Sequence, residues 1–194
     1  LHIGILHHRG ALHLAWEDQL RNDWGFERFL WICPSAHEEL LRNAAQMCRK
    51  IWKQFEKDRR IPYGLGLEAT FDSDGHIRSN TGTRGLTCAT LVVAAFRVVG
   101  IDLLREATWP VRTEIDRLWL DYLRHRFPTL HLDRLERDID EGKIRILPEE
   151  VIGSCTRPPT DFEEAVRRGA EVLEALRALE DAQIAASLDA TFVE

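Results

Sequence analysis

Between Thr87 and Gly100 the chain reads Cys-Ala-Thr-Leu-Val-Val-Ala-Ala-Phe-Arg-Val-Val, and only Thr90 and Arg97 interrupt its apolar surface. A helix with so little polar surface is buried on most sides. Thr87 is placed to cap its N-terminus, and Gly100 to close it as a C′ glycine. Residues 1–16 follow a different period. Leu1, Ile3 and Ile5 alternate with His2, Gly4 and Leu6, a turn falls within His7 to Gly10, and Ala11 to Ala15 runs back. That pattern predicts a β-hairpin. A turn centred on His7-His8 makes His2 and His13 cross-strand neighbours, whereas one centred on Arg9 offsets them. His7 and His8, at the turn, are expected to be solvated.

Further elements follow from the same patterning. Residues 17–33 form a connection or short strand region, weighted by Trp24, Phe26, Phe29, Leu30, Trp31 and Ile32. Pro34-Ser35 opens a long helix, with Ser35 and Glu38 matching a capping box. Its stripe is Leu41, Ala44, Ala45, Cys48, Ile51, Trp52 and Phe55, which makes Cys48 a core residue. Lys57, Arg59 and Arg60 suit the negative end of that helix. Asp72-Ser-Asp-Gly75 is a turn that lacks the oxygens of a calcium loop. Residues 76–87 are a polar, glycine-bearing loop leading into Cys88, where substrate access is expected.

Beyond Trp109-Pro110 the character becomes helical. Ile115, Leu118, Trp119 and Tyr122 mark an amphipathic helix that ends near Phe127-Pro128. A second helix is expected over 130–140, a short strand over Lys143–Leu147, and a further turn from Pro148. After the break at Arg157–Asp161, a last helix carries Phe162, Val166, Gly169, Leu173, Leu176 and Leu179. Glu163–Arg167 and Glu164–Arg168 are its supporting i,i+4 pairs. This helix is expected to pack on the core, with a dimer or partner-helix contact as the alternative. The division is therefore residues 1–108 as a core and 109–194 as a mostly helical extension packed on it.

Charge and composition narrow the chemistry. The 194 residues carry 26 Lys and Arg against 32 Asp and Glu, a formal charge of −6 with both signs mixed. No basic stripe with interleaved aromatics appears, which argues against a nucleic-acid binder. The four cysteines, Cys33, Cys48, Cys88 and Cys155, show no CxxC spacing and read as reduced thiols of a cytoplasmic protein. A secreted or delivered setting stays open. No signal peptide and no membrane-spanning apolar run is recognised.

Cys88 is the candidate nucleophile. At the first turn of a helix a thiol meets the positive end of the dipole and free N–H groups. Both are expected to lower its pKa and to hold a developing oxyanion. A thiol nucleophile needs a base, and the base needs a third group to orient it. His2 and His13, on opposite arms of the hairpin, can supply those roles. A buried structural cysteine is the competing reading of Cys88.

Leu-His-Ile-Gly-Ile, then Leu-His-Leu-Ala, then a distant Cys at a helix start, resembles the circularly permuted branch of the NlpC/P60 papain-like superfamily. That branch includes lecithin:retinol acyltransferase-like and YiiX-like proteins. Its His-x-Gly-Ile strand, second-strand polar residue and helical Cys correspond to His2, His13 and Cys88. Ile61-Pro62-Tyr63-Gly64 is similar to the Pro-Tyr-Asp segment of the YiiX-like group. The likeness covers residues 1 to about 105. It departs where Gly64 replaces Asp, and where no Gly-Asp strand precedes Leu1. A base so near a chain end frays, so the expectation is that the chain begins earlier or that another strand braces His2.

The resemblance implies an α+β papain-like fold with a small antiparallel sheet, a buried helix carrying Cys88 and a C-terminal helical extension. It implies a thiol enzyme in which Cys88 attacks, His2 moves the proton and His13 orients His2. Thr87 and Tyr63 are placed at the substrate or oxyanion site beside the Cys88 N–H. Hydrolysis of an amide or peptide bond is expected, without a cofactor or metal. The alternatives are acyl transfer of the lecithin:retinol acyltransferase type, favoured if detergent or vesicles are needed for activity, and a non-catalytic interaction module retaining the fold.

Other signatures fail. Gly64-Leu-Gly66-Leu-Glu-Ala69 has dinucleotide-loop spacing but no preceding strand. There is no Walker motif, Gly-x-Ser-x-Gly elbow or His-Glu-x-x-His. His37-Glu38-Glu39 is a helix start, and His125, His131 and Cys155 lack metal-ligand spacing.

Overall fold

The computed structural model describes residues 2–7, 10–24, 32–58, 60–78 and 85–191, with side chains described to residue 179. Alternating apolar positions near the start build a three-stranded antiparallel meander: β1 (Ile5–His7), β2 (Gly10–Leu14) and β3 (Leu20–Asp23), in the order β1-β2-β3. All five residues of the central strand β2 are buried. His7 pairs with Gly10, which puts the turn at residues 8 and 9. Continuing this register sets Gly4, not His2, opposite His13, so the two histidines are diagonal neighbours. This is the offset arrangement of the two considered.

His7 is not solvated. It is buried, and its Nε2 lies 3.0 Å from Asn22 Oδ1 on β3. The third strand, absent from a hairpin-only picture, covers it. His8 lies outside the described residues, as do Phe26, Phe29, Leu30, Trp31, Arg59 and half of the expected access loop (79–84).

Helix α1 (Glu38–Asp58) buries Ala44, Met47, Cys48 and Ile51. It starts three residues after Ser35, and the His37 carbonyl accepts from the Leu41 N–H, so Ser35 is not its cap. Helix α2 (Cys88–Arg97) buries its first nine residues, Thr90 included. Thr90 is accommodated there because it closes a capping box with Thr87. Val98 caps the other end, and Gly100 follows two residues later with φ of 85°. Full burial of each Leu, Val or Phe contributes about 1.5–3 kcal/mol, so α2 is a principal anchor of the core. Between the two helices, β4 (Thr70–Phe71) and β5 (Ile77–Arg78) form a small hairpin around the expected turn, closed by Gly75 N–H on Asp72 O.

The second half is helical: α3 (Thr113–Arg126), α4 (Asp133–Asp140), α5 (Pro148–Cys155) and α6 (Phe162–Thr191). Ile146, Val151, Cys155 and Ala165 join the same core cluster as α1 and α2. A smaller cluster ties Leu120, Leu123, Leu135 and Ile139 to Leu65, with Trp16 and Tyr63 at its edge. Gly153 and Gly169 let α5 and α6 meet closely. A Cβ on Gly153 would stand 2.0 Å from Ala165 O, and one on Gly169 2.2 Å from Glu149 O.

The stretch 143–147 is not a strand, because its backbone is claimed elsewhere: the Arg112 guanidinium donates to the Arg145 carbonyl. On α3 the buried face is Asp116, Leu120 and Leu123, whereas Ile115, Leu118 and Tyr122 are exposed. A buried ion pair sets that rotation, with Arg145 Nε 2.6 Å from Asp116 Oδ1 and its guanidinium over the Trp119 ring. On α6, Arg168 pairs with Glu164 as expected, but Arg167 pairs with Glu164 and Glu171 rather than Glu163. Val166 and Leu179 of its expected stripe are exposed. Among the described residues, no helix is long and apolar enough to cross a membrane.

Candidate active site

Cys88 is the first residue of α2 and only 8% exposed. Thr87, in extended conformation, caps the helix: its Oγ1 accepts the Thr90 N–H, and its own N–H donates to Thr90 Oγ1. Both polar groups of Thr87 that were candidates for substrate contact are thereby engaged in the cap. Their effect is to fix where the helix begins and so where the thiol stands.

The backbone N–H groups of Ile3, Ala89 and Cys88 itself act on the sulfur and favour its thiolate. Burial acts the other way and prevails, so the thiol pKa is raised above its ordinary value. This corrects the expectation of a lowered pKa. The helix terminus pulls in the anticipated direction, but removal of the sulfur from water outweighs it. Cys48 and Cys155 are core thiols, each pushed up to about 12, chiefly by burial.

Ile3 joins the hairpin to Cys88, and His2 is its covalent neighbour. The His2 ring sits edge-on to that of His13, with His2 Nε2 2.6 Å from His13 Nδ1. Gly4 makes this approach possible, because any Cβ there would stand 2.7 Å from both the His13 Cβ and the Leu12 carbonyl oxygen. The ring of His2 loses hydration in this packing and lies beside His13, and the two effects lower its pKa to about 4. At neutral pH it is an uncharged imidazole. Cys88 and His2 are not hydrogen-bonded to one another.

Asp23 was not among the expected site residues. It ends β3, and its Oδ2 lies 2.9 Å from His13 Nε2. The reverse turn after β2 delivers it: Gln19 N–H bonds Trp16 O, and Asp18 adopts φ of 53°. Leu20 then pairs with Leu14, and Asp23 with Ala11, which places its carboxylate diagonal to His13. The legible signal was the acidic turn Glu17-Asp18 followed by a short return strand.

Tyr63 lies on the 61–66 segment, which runs beside Gly85 and Leu86 just ahead of Cys88. Its ring stacks on Trp16, with centroids 4.0 Å apart. Asp18 ties the two together, accepting the Ile61 N–H at 2.7 Å and donating its own N–H to the Ile61 carbonyl. Burial, then the neighbouring Cys88, pushes the Tyr63 phenol up, so it is an uncharged hydroxyl. In place of the Asp of the similar motif, Gly64 meets Asp138 of α4, whose Oδ2 accepts the Leu65 N–H at 2.8 Å.

His2, His13, Cys88 and Tyr63 are thus gathered around the start of α2, and Asp23 joins them. Among the described residues, no group of three or more His, Cys, Asp or Glu is placed to hold a metal. No family model matches the chain, and neither curated proteins nor solved structures give a match.

Proposed function

We propose that the protein is a cysteine hydrolase that cleaves an amide or peptide bond through an acyl-enzyme on Cys88. The observation that supports this reading is the convergence at one helix start. The Ile3 amide faces the Cys88 sulfur while the adjacent His2 ring is held by His13. The raised thiol pKa and the neutral imidazole fit a general-base route rather than a standing ion pair.

In this mechanism Sγ attacks the acyl carbon as its proton passes to His2 Nδ1. The carbonyl electron pair moves onto oxygen, where the Cys88 N–H stabilises it. Collapse expels the amine, which takes the proton from His2 and leaves a thioester. Water, deprotonated by His2, then releases the carboxylate and restores the thiol. Transfer of the acyl group to another acceptor would share the first half of this sequence.

The burial of Cys88 favours a second reading, a non-catalytic interaction module. Intact-mass analysis under acid quench separates the two, using a panel of activated amides, esters and thioesters. The hydrolase reading expects an acyl adduct that vanishes in Cys88→Ala, with free acid as product. No adduct with any acyl donor supports the interaction module, and acyl-acceptor products support transfer.

A further inference from the structure

We infer that Asp23 is a positioning residue that sets the direction of a proton relay from β3 through both histidines toward Cys88. This rests on the hydrolase reading for its purpose, but not for its geometry. An ionised carboxylate can only accept, so the bond between Asp23 Oδ2 and His13 Nε2 requires the proton on Nε2. In neutral His13 that leaves Nδ1 as an acceptor. The partner of Nδ1 is His2 Nε2, at 2.6 Å, which must then be the donor. His2 Nδ1 is consequently the bare nitrogen, the only atom of the ring able to take a thiol proton.

The same chain run backwards has no base. If a neutral His13 carried its proton on Nδ1, His2 Nε2 would have to accept, and His2 Nδ1 would hold a hydrogen. Only a group that accepts and never donates at His13 Nε2 excludes that state. Asp23 is suited to this because its side chain is 45% exposed while that of His13 is 8% exposed. The carboxylate stays in contact with water while its partner is held in place. Arg21, directly opposite His13 on β3, and Asp23 beside it are the charged side chains of the sheet that act on His2. Arg21 disfavours a second positive charge on His2, in the same sense as His13.

The test is nitrogen-15 NMR of the histidine rings in the full chain, with His2 and His13 assigned by single His→Gln variants. It is paired with the rate of Cys88 alkylation across pH. The wild type is expected to show both rings with hydrogen on Nε2 at neutral pH. In Asp23→Ala a population with hydrogen on Nδ1 of both rings should appear. A misplaced tautomer has cost a related relay about 10⁴-fold in rate, and here, one ring further removed, alkylation should slow roughly tenfold or more. Asp23→Glu should recover both. Unchanged tautomers in Asp23→Ala would overturn the relay, as would a loss that Asp23→Glu does not recover. Tautomers that follow Asp23 while Cys88 reacts no faster than a buried thiol would leave the relay standing and remove the hydrolase reading.

Discussion

A Cβ on Gly4 would stand 2.7 Å from the Cβ of His13, so the first strand can cross the second only where residue 4 has no side chain. The Leu12 carbonyl stands equally close, and backbone cannot yield as a flexible side chain can. Gly4→Ala is therefore expected to push the strand outward and part the His2–His13 contact. The cost should be about 1–3 kcal/mol, as for other overpacked sites. Urea denaturation measures the loss, and the His2 ring resonances should move toward those of an exposed histidine.

The Cys88 thiol is raised above its ordinary pKa, so at neutral pH its thiolate fraction lies below that of a free cysteine. In His2→Ala, where only the free thiolate can react, alkylation should climb about tenfold per pH unit through the alkaline range and flatten only above the ordinary thiol pKa. A plateau near neutrality would contradict the burial that causes the shift. The measurement needs a Cys33→Ser background, because Cys33 is exposed.

His2 titrates at about 4 in the folded protein, below the 6.5 of an exposed histidine. Above pH 6.5 both states leave it neutral and it contributes no pH dependence. As pH falls from 6.5 toward 4 the unfolded chain takes up the proton first, so stability falls across that window and levels off below it. His2→Gln removes this contribution. Denaturant midpoints should converge for variant and wild type as pH is lowered, and parallel curves would show that His2 is not depressed.

Glu150 is 1% exposed and takes Trp109 Nε1–H, the Leu147 N–H and the Arg112 guanidinium, the last at 2.5 Å. Removing the carboxylate strands a buried cation, which costs about 3–5 kcal/mol. Glu150→Ala should lose that much in denaturant unfolding. Replacing both partners, Glu150→Leu with Arg112→Met, should recover most of it. The Cys88 site should be little affected by the double change.

The elements that carry the site were readable where the pattern was strong. The apolar run after Cys88, its Thr87 cap and the period-two hairpin needed only local sequence. What was missed depended on contacts between distant segments. Asp23 could not be chosen without knowing that a tight turn after Trp16 folds a third strand onto His13. The burial of His7 has the same origin. On α3, apolar residues lie on both faces, and the Asp116–Arg145 pair, 29 residues apart, decides which face turns inward. The sign of the Cys88 shift was likewise a contest between a local dipole and burial by the whole fold. Only the dipole is visible from residues in sequence.

The most direct test of the account is site-resolved labelling by an acyl-mimicking thiol probe at neutral pH, in wild type, Cys88→Ala and His2→Ala, each on Cys33→Ser. The account predicts labelling at Cys88 well above that of Cys48 and Cys155, abolished in Cys88→Ala and strongly reduced in His2→Ala. Equal, slow labelling of all three cysteines, unchanged by His2→Ala, would contradict it and leave Cys88 as a core thiol in a binding protein.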